Sequence, residues 1–233
     1  MQSIKGETPY IIYGKESDYK RIFYSSPNQA LVKEVTLAPG YGVLRAGTAL
    51  AKNVSAAGNK NQYVPYCPTT PASGDADQKG NAFLVTDATD TNIYVTMDDS
   101  YKFEVGDDII IYATGAKTTS AENLGAITAI DRTTYTHMAK ITVTSDPTDA
   151  TFTVATSAAI HVECGADNTN GYSDCAGILG STVDTGTGEN AKGAVASIIL
   201  SNAILYEGLL VNVDAAAKTD ISATSNGNLL VIK

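Results

Sequence analysis

Residues 125–144 read GAITAIDRTTYTHMAKITVT, and this stretch decides the fold class of the chain. Apolar and polar side chains alternate over residues 125–131 and again over residues 140–144, with the two-residue period of a half-buried strand. The polar segment 132–138 separates the two runs, so the pattern predicts a β-hairpin. We therefore expect short antiparallel strands to build the core.

Short apolar runs of the same kind recur along the chain, and the abundant Thr, Val, Ile and Tyr favour strands over helices. Further strands are predicted at residues 32–37, 63–66, 82–86, 92–96, 109–112, 152–154, 160–162, 175–179, 193–200, 203–206, 209–211 and 227–232. Asp214 precedes three alanines and predicts one short helical turn. The 233 residues are 43% hydrophobic and 18% charged, which excludes a disordered tail. The expected fold class is all-β, with little helix.

The net charge of −9 argues against a nucleic-acid-binding protein, which needs a basic footprint on the phosphates. We also expect no membrane association, because no apolar run approaches the ~20 residues of a membrane helix. We expect no secretion signal either, because residues 1–7 lack an apolar core.

Charge is unevenly distributed along the chain: residues 1–78 carry a net +2, residues 79–166 a net −7 and residues 167–233 a net −4. Either this is ordinary surface variation, or the basic end contacts an acidic partner while the acidic middle faces solvent.

The first 30 residues read as an N-terminal arm. Apolar runs at residues 10–13 and 21–24 lie between Pro9 and Pro27. They predict either a hairpin in the protein's own sheet or an extended segment that adds a strand to a partner's sheet edge. Residues 68–79 are rich in Thr, Pro, Ser, Gly and Asp and read as a linker.

Catalytic and metal-binding motifs are weak, so we expect neither an enzyme nor a bound cofactor or metal. Two acidic pairs stand beside turns, Asp98–Asp99 and Asp107–Asp108, and are expected to be solvated. The loop 184–190 resembles a calcium loop in composition but lacks its ligand spacing. His137 and His161 have no neighbouring Cys/His cluster, which favours structural roles.

The three cysteines, Cys67, Cys164 and Cys175, show no CxxC spacing and predict reduced, packed thiols. A bridge between Cys164 and Cys175 across the intervening loop is the alternative.

Two stretches carry a family resemblance. Residues 42–66 read GVLRAGTALAKNVSAAGNKNQYVPY, and residues 176–233 begin with AGIL and end with LLVIK. In order, they resemble the head decoration proteins of tailed phages of the lambda type. The matching positions are Gly177, Ile178 and Leu179, then Tyr206 and Glu207, then Leu230, Val231 and Ile232. The acidic block 79–166 departs from the family pattern.

The resemblance implies a small β-barrel (β-tulip-like) decoration domain, residues 31–78 plus 167–233, preceded by the arm of residues 1–30. Residues 79–166 would then be an inserted acidic β-barrel or sandwich, since surface loops tolerate insertions. The implied function is a structural virion protein, assembled in the cytoplasm of a host bacterium, that binds the major capsid protein on the capsid surface and stabilises the expanded shell. It would act as a homotrimer.

In this interpretation the arm supplies the capsid contacts. Its expected apolar anchors and basic residues are Ile11, Ile12, Tyr13, Ile22, Phe23 and Tyr24, with Lys15, Lys20 and Arg21.

Two other interpretations remain open. In the first, the chain is a phage spike or adhesin whose acidic domain contacts host carbohydrate through exposed aromatic residues, for which the candidates are Tyr94, Tyr101, Tyr112 and Tyr135. In the second, the Asp98–Asp99 and Asp107–Asp108 pairs serve a β-rich hydrolase.

Overall fold

The computed structural model describes residues 22–24, 30–54, 58–67, 79–113, 121–148, 152–163, 171–224 and 229–232. The strands are β1 Leu31–Leu37, β2 Val43–Leu44, β3 Ala49–Lys52, β4 Tyr63–Pro65, β5 Ala82–Phe83, β6 Asn92–Thr96, β7 Asp108–Tyr112, β8 Ala121–Asp131, β9 Met138–Val143, β10 Ala159–Val162, β11 Cys175–Leu179, β12 Val183–Asp184, β13 Ala194–Ser201, β14 Ala203–Tyr206 and β15 Leu229–Ile232. Two α-helices, α1 Met97–Ser100 and α2 Ala215–Thr224, accompany them, with short 3₁₀ turns at Val154–Thr156, Gly188–Asn190 and Glu207–Leu209. The predicted all-β fold is confirmed.

The first sheet is a closed barrel in the order β1-β13-β11-β3-β4. Strands β1 and β13 pair antiparallel over their whole length, from Leu31 opposite Ser201 to Leu37 opposite Ala194. The barrel closes where Leu37 pairs in parallel with Tyr63 of β4. Its interior is apolar, with Leu37, Leu50 and Val64 fully buried. The closure rests on this one pair, at the C-terminal end of β1.

The second sheet has six strands in the order β5-β10-β7-β8-β9-β6. Its two end strands approach each other where Leu84, next to β5, bridges Val95 of β6, so the sheet curls into a nearly closed barrel. Strands β8 and β9 form the predicted hairpin, with Ile130 opposite Ile141. Along β9, half-buried and buried residues alternate, as the sequence pattern requires.

Helix α2 lies against β11 of the first barrel. The side chain of Asp214 caps it, because Oδ1 accepts a hydrogen bond from the backbone N–H of Ala217 over 2.8 Å. Asp220 on the next turn accepts from the N–H of Cys175 over 2.9 Å. The prediction of a single helical turn was wrong: α2 has ten residues, and packing on the barrel stabilises its length.

The cysteine prediction is corrected by the structure. Cys67 is disulfide-bonded, while Cys175 is a buried free thiol on β11. The predicted set of reduced thiols is therefore wrong for Cys67, and the alternative Cys164–Cys175 bridge is wrong because Cys175 is free. Burial raises the pKa of the Cys175 thiol to about 12.

No helix in the described ranges has both the length and the apolar character needed to cross a membrane.

Candidate functional site

The described end of the N-terminal arm is attached to the protein's own sheet. Phe23 bridges Leu205 of β14 in antiparallel fashion. The N–H of Tyr24 donates to the carbonyl of Ile204 over 2.8 Å, and the N–H of Tyr206 donates to the carbonyl of Ile22 over 2.9 Å. Residues 22–24 therefore lie along β14, which pairs with β15 on its other side.

This attachment changes which arm residues face solvent. Ile22 is 3% exposed and Phe23 is 6% exposed, so both side chains contribute to this chain's own core in the structure. Tyr24 is 60% exposed and packs edge-on against Tyr206, with ring centroids 5.3 Å apart. The remaining expected anchors and basic residues, Ile11, Ile12, Tyr13, Lys15, Lys20 and Arg21, lie outside the described residues.

An apolar groove of about 520 Å³ opens beside the attached arm. Its lining consists of Ile22, Val43, Arg45, Ala46, Thr182 and residues 208–211. Val43 and Leu209 are large apolar side chains on the surface of this groove. With Tyr24 and Tyr206, they make four exposed large hydrophobic side chains around Ile22. We call the groove and these two tyrosines the arm-side surface. Clustered exposed apolar side chains are typical of protein contact surfaces.

The residues of the family-like motif have separate structural roles. Gly177 has φ +156°, and a Cβ there would lie 2.9 Å from the carbonyl oxygen of Ile199, so only glycine fits this bulged position of β11. Ile178 and Leu179 are fully buried in the barrel. Glu207 forms an ion pair with Lys218 of α2, next to the exposed Tyr206. Among the motif residues 177–179, 206 and 207, Tyr206 has the most exposed side chain.

A buried ionic cluster lies where the second sheet meets the first barrel. Lys79 and Asp107 are 1% and 2% exposed, and Lys79 Nζ lies 3.5 Å from Asp107 Oδ2. The Tyr172 hydroxyl donates to Asp107 Oδ1 over 3.0 Å, and the backbone N–H of Glu104 donates to Asp107 Oδ2 over 2.9 Å. The ammonium stands 4.9 Å from the ring centroid of Tyr172 and 6.0 Å from that of Tyr41. We call these residues the junction cluster.

The chain holds the two charged groups of the junction cluster in place through its backbone. Gly80, directly after Lys79, has φ +60°, and a Cβ there would clash with Val162 and lie 2.9 Å from Phe103. The peptide between Lys79 and Gly80 therefore packs against the second sheet, while Tyr41 and Tyr172 approach from the segments around the first barrel. Loop 58–61 adds Asn59, whose side-chain amide donates to the carboxylate of Glu104.

Burial and nearby charges shift the pKa values of Lys79, Tyr41 and Tyr172. For the Lys79 ammonium, burial acts to lower the pKa, but the charge of Asp107, followed by Tyr41, Tyr172 and Glu104, raises it well above its usual value. Burial raises the pKa of Tyr41 to about 12, with the charges of Asp107 and Glu104 acting in the same direction and Lys79 opposing them. Burial also raises the pKa of Tyr172. The Lys79 amine is therefore protonated around neutral pH.

The carboxylates of the two acidic pairs are held by separate contacts. Asp107 is buried in the junction cluster, so the expectation that it is a solvated turn carboxylate was wrong. Asp99 pairs with Lys102 over 2.8 Å and its N–H is capped by Thr96 over 3.1 Å. Asp98 is exposed and lies beside Gly188, and Asp108 begins β7. Each carboxylate has a different environment.

The candidate carbohydrate-binding tyrosines are also partly covered. Tyr112 is 1% exposed and packs edge-on against the buried His161, so it was wrong as a surface residue. Tyr101 is half-buried under the guanidinium of Arg132, 4.5 Å from its ring centroid. Tyr94 and Tyr135, both half-buried, pack edge-on with centroids 5.5 Å apart.

The loop 184–190 is organised by internal contacts, since Asp184 Oδ1 accepts from the N–H of Gly186 over 2.8 Å. His137 is exposed, in the turn between β8 and β9. Among the described residues, no group of three or more His, Cys, Asp or Glu side chains is arranged to hold a metal ion.

The sequence did not point to Lys79, Tyr41 or Tyr172. Lys79 stood at the end of the predicted linker, and a linker lysine is normally solvated. The one available signal was the Lys79–Gly80 pair at the end of a polar stretch, directly before a strand. A glycine at this position indicates that another part of the chain packs closely against the backbone, but it does not identify which part.

No family model matches this chain, and comparison with curated proteins and with solved structures finds no match either.

Proposed function

We propose that this chain is a structural virion protein that binds the outside of a tailed-phage capsid and stabilises the expanded shell, as a homotrimer. The resemblance of residues 42–66 and 176–233 to head decoration proteins supports the proposal. These two stretches are far apart in sequence, yet they supply β3, β4, β11 and β13 of one closed barrel. A family unit interrupted by an insertion is expected to reassemble in this way.

The arm-side surface is the observation that carries the proposal. It combines an apolar groove, the exposed side chains of Tyr24, Val43, Tyr206 and Leu209, and the cation Arg45. Ile22 lines this groove, and the sequence before Ile22 contains four basic residues, Lys5, Lys15, Lys20 and Arg21. A partner at this surface would bury apolar side chains and meet the arm at the same time. Many such weak contacts on a lattice add through avidity.

The acidic charge of the second sheet supports an orientation in which this sheet points away from the capsid. Residues 79–166 carry a net −7, whereas residues 1–78 carry a net +2. If the arm-side surface faces the shell, the acidic unit faces solvent, where its like charges oppose association of one decorated particle with another. In this arrangement the insert covers the outer face and performs no chemistry.

The test is binding to purified expanded shells that lack their own decoration protein, measured by co-sedimentation. Tyr24→Ser and Leu209→Ser should each weaken binding at least about tenfold, in line with loss of a contact worth over 1.4 kcal/mol. Val154→Ser is the matched control, because Val154 is an exposed apolar side chain on the inserted unit. If both arm-side variants bind like the wild type, the arm-side surface does not carry the function.

A further inference from the structure

The junction cluster brings an amine and a carboxyl group together in the protein interior. An amine and a carboxyl group face each other at 3.5 Å between Lys79 Nζ and Asp107 Oδ2, with both side chains buried. Aromatic rings of Tyr172 and Tyr41 stand beside the amine. Both carboxyl oxygens of Asp107 accept hydrogen bonds, from the Tyr172 hydroxyl and from the Glu104 N–H. Such donors polarise the carboxyl carbon and stabilise negative charge that develops on its oxygens.

We propose that Lys79 and Asp107 condense, after folding, into an intramolecular isopeptide bond between Nζ and Cγ. The proposal is independent of the capsid function, because it uses only residues of the junction cluster.

The step balances without any further reactant. One proton passes from the Lys79 ammonium to Asp107 Oδ2, which converts the ion pair into a neutral amine and a neutral acid. The amine lone pair attacks Cγ, and the carbonyl electron pair moves onto Oδ1, where the Tyr172 hydroxyl donates. A second proton moves from nitrogen to Oδ2, the Cγ–Oδ2 bond breaks, and one water molecule leaves. No atom is oxidised or reduced.

Folding makes the condensation of Lys79 with Asp107 more favourable than the same reaction in bulk water. Two groups fixed side by side react with effective molarities that small molecules in solution do not reach. The buried ion pair carries a desolvation cost, and conversion into a neutral amide removes both charges from the interior. A closed site also leaves little water to reverse the reaction.

The experiment compares the intact mass of the reduced, purified full chain with that of Lys79→Arg prepared alongside it. The wild type should be lighter than its sequence requires by one water molecule, and Lys79→Arg should have its full sequence mass. Trypsin should then cleave the wild type after Lys60, Lys102 and Lys117 but not after Lys79. The result is a branched peptide that joins residues 61–102 to residues 103–117 through Lys79 and Asp107.

Two outcomes would overturn the proposal. The first is a folded wild type at its full sequence mass, with trypsin cleaving after Lys79. The second is a water loss that persists in Lys79→Arg, which would place the dehydration elsewhere, for example in a cyclised aspartate.

The role of Tyr172 is tested by the rate of bond formation. Tyr172→Phe removes the donor to Oδ1 and should slow the appearance of the branched peptide after refolding by about tenfold or more. Tyr66→Phe is the matched control, since Tyr66 is equally buried and its hydroxyl also donates over 3.0 Å to a carboxylate, that of Asp214. Equal rates in the two variants would remove Tyr172 from the reaction.

Discussion

The hydroxyl of Tyr172 donates a hydrogen bond to Oδ1 of Asp107 over 3.0 Å, in a fully buried position. Asp107 directly precedes β7 of the six-stranded sheet, and Tyr172 lies just before β11 of the closed barrel. The contact therefore joins the two β units through polar groups that water does not reach. A buried polar contact of this kind is strong when every member is satisfied and costly when one is removed.

Loss of the Lys79 ammonium should destabilise the whole chain. Lys79→Met leaves the carboxylate of Asp107 buried without a cation, which is expected to cost about 3–5 kcal/mol in the free energy of unfolding relative to Lys79→Arg, which keeps a cation there and forms no isopeptide bond. Chemical denaturation measures this directly. Lys33→Met on the exposed side of β1 is the control and should change stability by less than about 0.5 kcal/mol. Equal stability of the two variants would show that the junction cluster contributes nothing to folding.

Gly80 should be intolerant of a side chain. Its φ of +60° and the approach of Val162 and Phe103 leave no room for a Cβ. Gly80→Ala is therefore expected to lose about 1–3 kcal/mol through strain and overpacking. Gly208→Ala is the matched control, because a Cβ at Gly208 meets no atom within 4 Å. The pair is compared by thermal denaturation, and a similar Tm for both variants would contradict the packing described here.

Stability should fall in alkali, and Tyr41 should account for part of the fall. Burial raises the pKa of Tyr41 to about 12, whereas an unfolded tyrosine ionises near about 10. Above pH ~10 the unfolded chain therefore binds fewer protons than the folded chain, so the free energy of unfolding decreases as the pH rises. Below pH ~10 the stabilising contribution of Tyr41 is intact. Its loss should lower the free energy of unfolding by about 2–3 kcal/mol by pH ~12.

Urea unfolding of the wild type and of Tyr41→Phe across pH 8 to 12 isolates this contribution. The slope of stability against pH should be shallower in Tyr41→Phe and unchanged in Tyr24→Phe, whose ring is exposed. If stability falls with pH equally steeply in all three proteins, burial does not raise the pKa of Tyr41 and this account of it is contradicted.

Cys175 should resist alkylation in the native state. The thiol is buried on β11, and burial raises its pKa to about 12, while the thiolate is the reactive form. Iodoacetamide at pH ~8 should modify Cys175 only when denaturant unfolds the barrel. Mass spectrometry locates the label, and rapid labelling of Cys175 in the folded protein would contradict its placement.

Local patterns predicted most of the strands, because alternation reports which face of a strand is buried. The strands predicted at residues 152–154 and 209–211 were wrong, since 3₁₀ turns occupy Val154–Thr156 and Glu207–Leu209. The hairpin of β8 and β9 follows from residues 125–144 alone and is confirmed with Ile130 opposite Ile141. Asp214 was correctly taken as a helix cap. The length of α2 was not predicted, since the barrel surface that supports the helix is formed by residues distant in sequence.

The candidate sites depended more on tertiary contacts. Lys79 and Asp107 each look like surface residues in their local sequence, and only the meeting of the two β units buries them together. Ile22 and Phe23 have the apolar character of contact residues, but β14 offers them a partner within the chain. Sequence patterning finds apolar side chains without showing which surface will cover them.

The most direct test of the account is electron cryomicroscopy of expanded, undecorated phage shells mixed with the purified full chain. The account predicts density on the outer surface at three-fold positions, in multiples of three copies, with the arm-side surface toward the shell and residues 79–166 outward. A protein that remains free in solution, or that deposits with its acidic unit against the shell, would contradict the central claim.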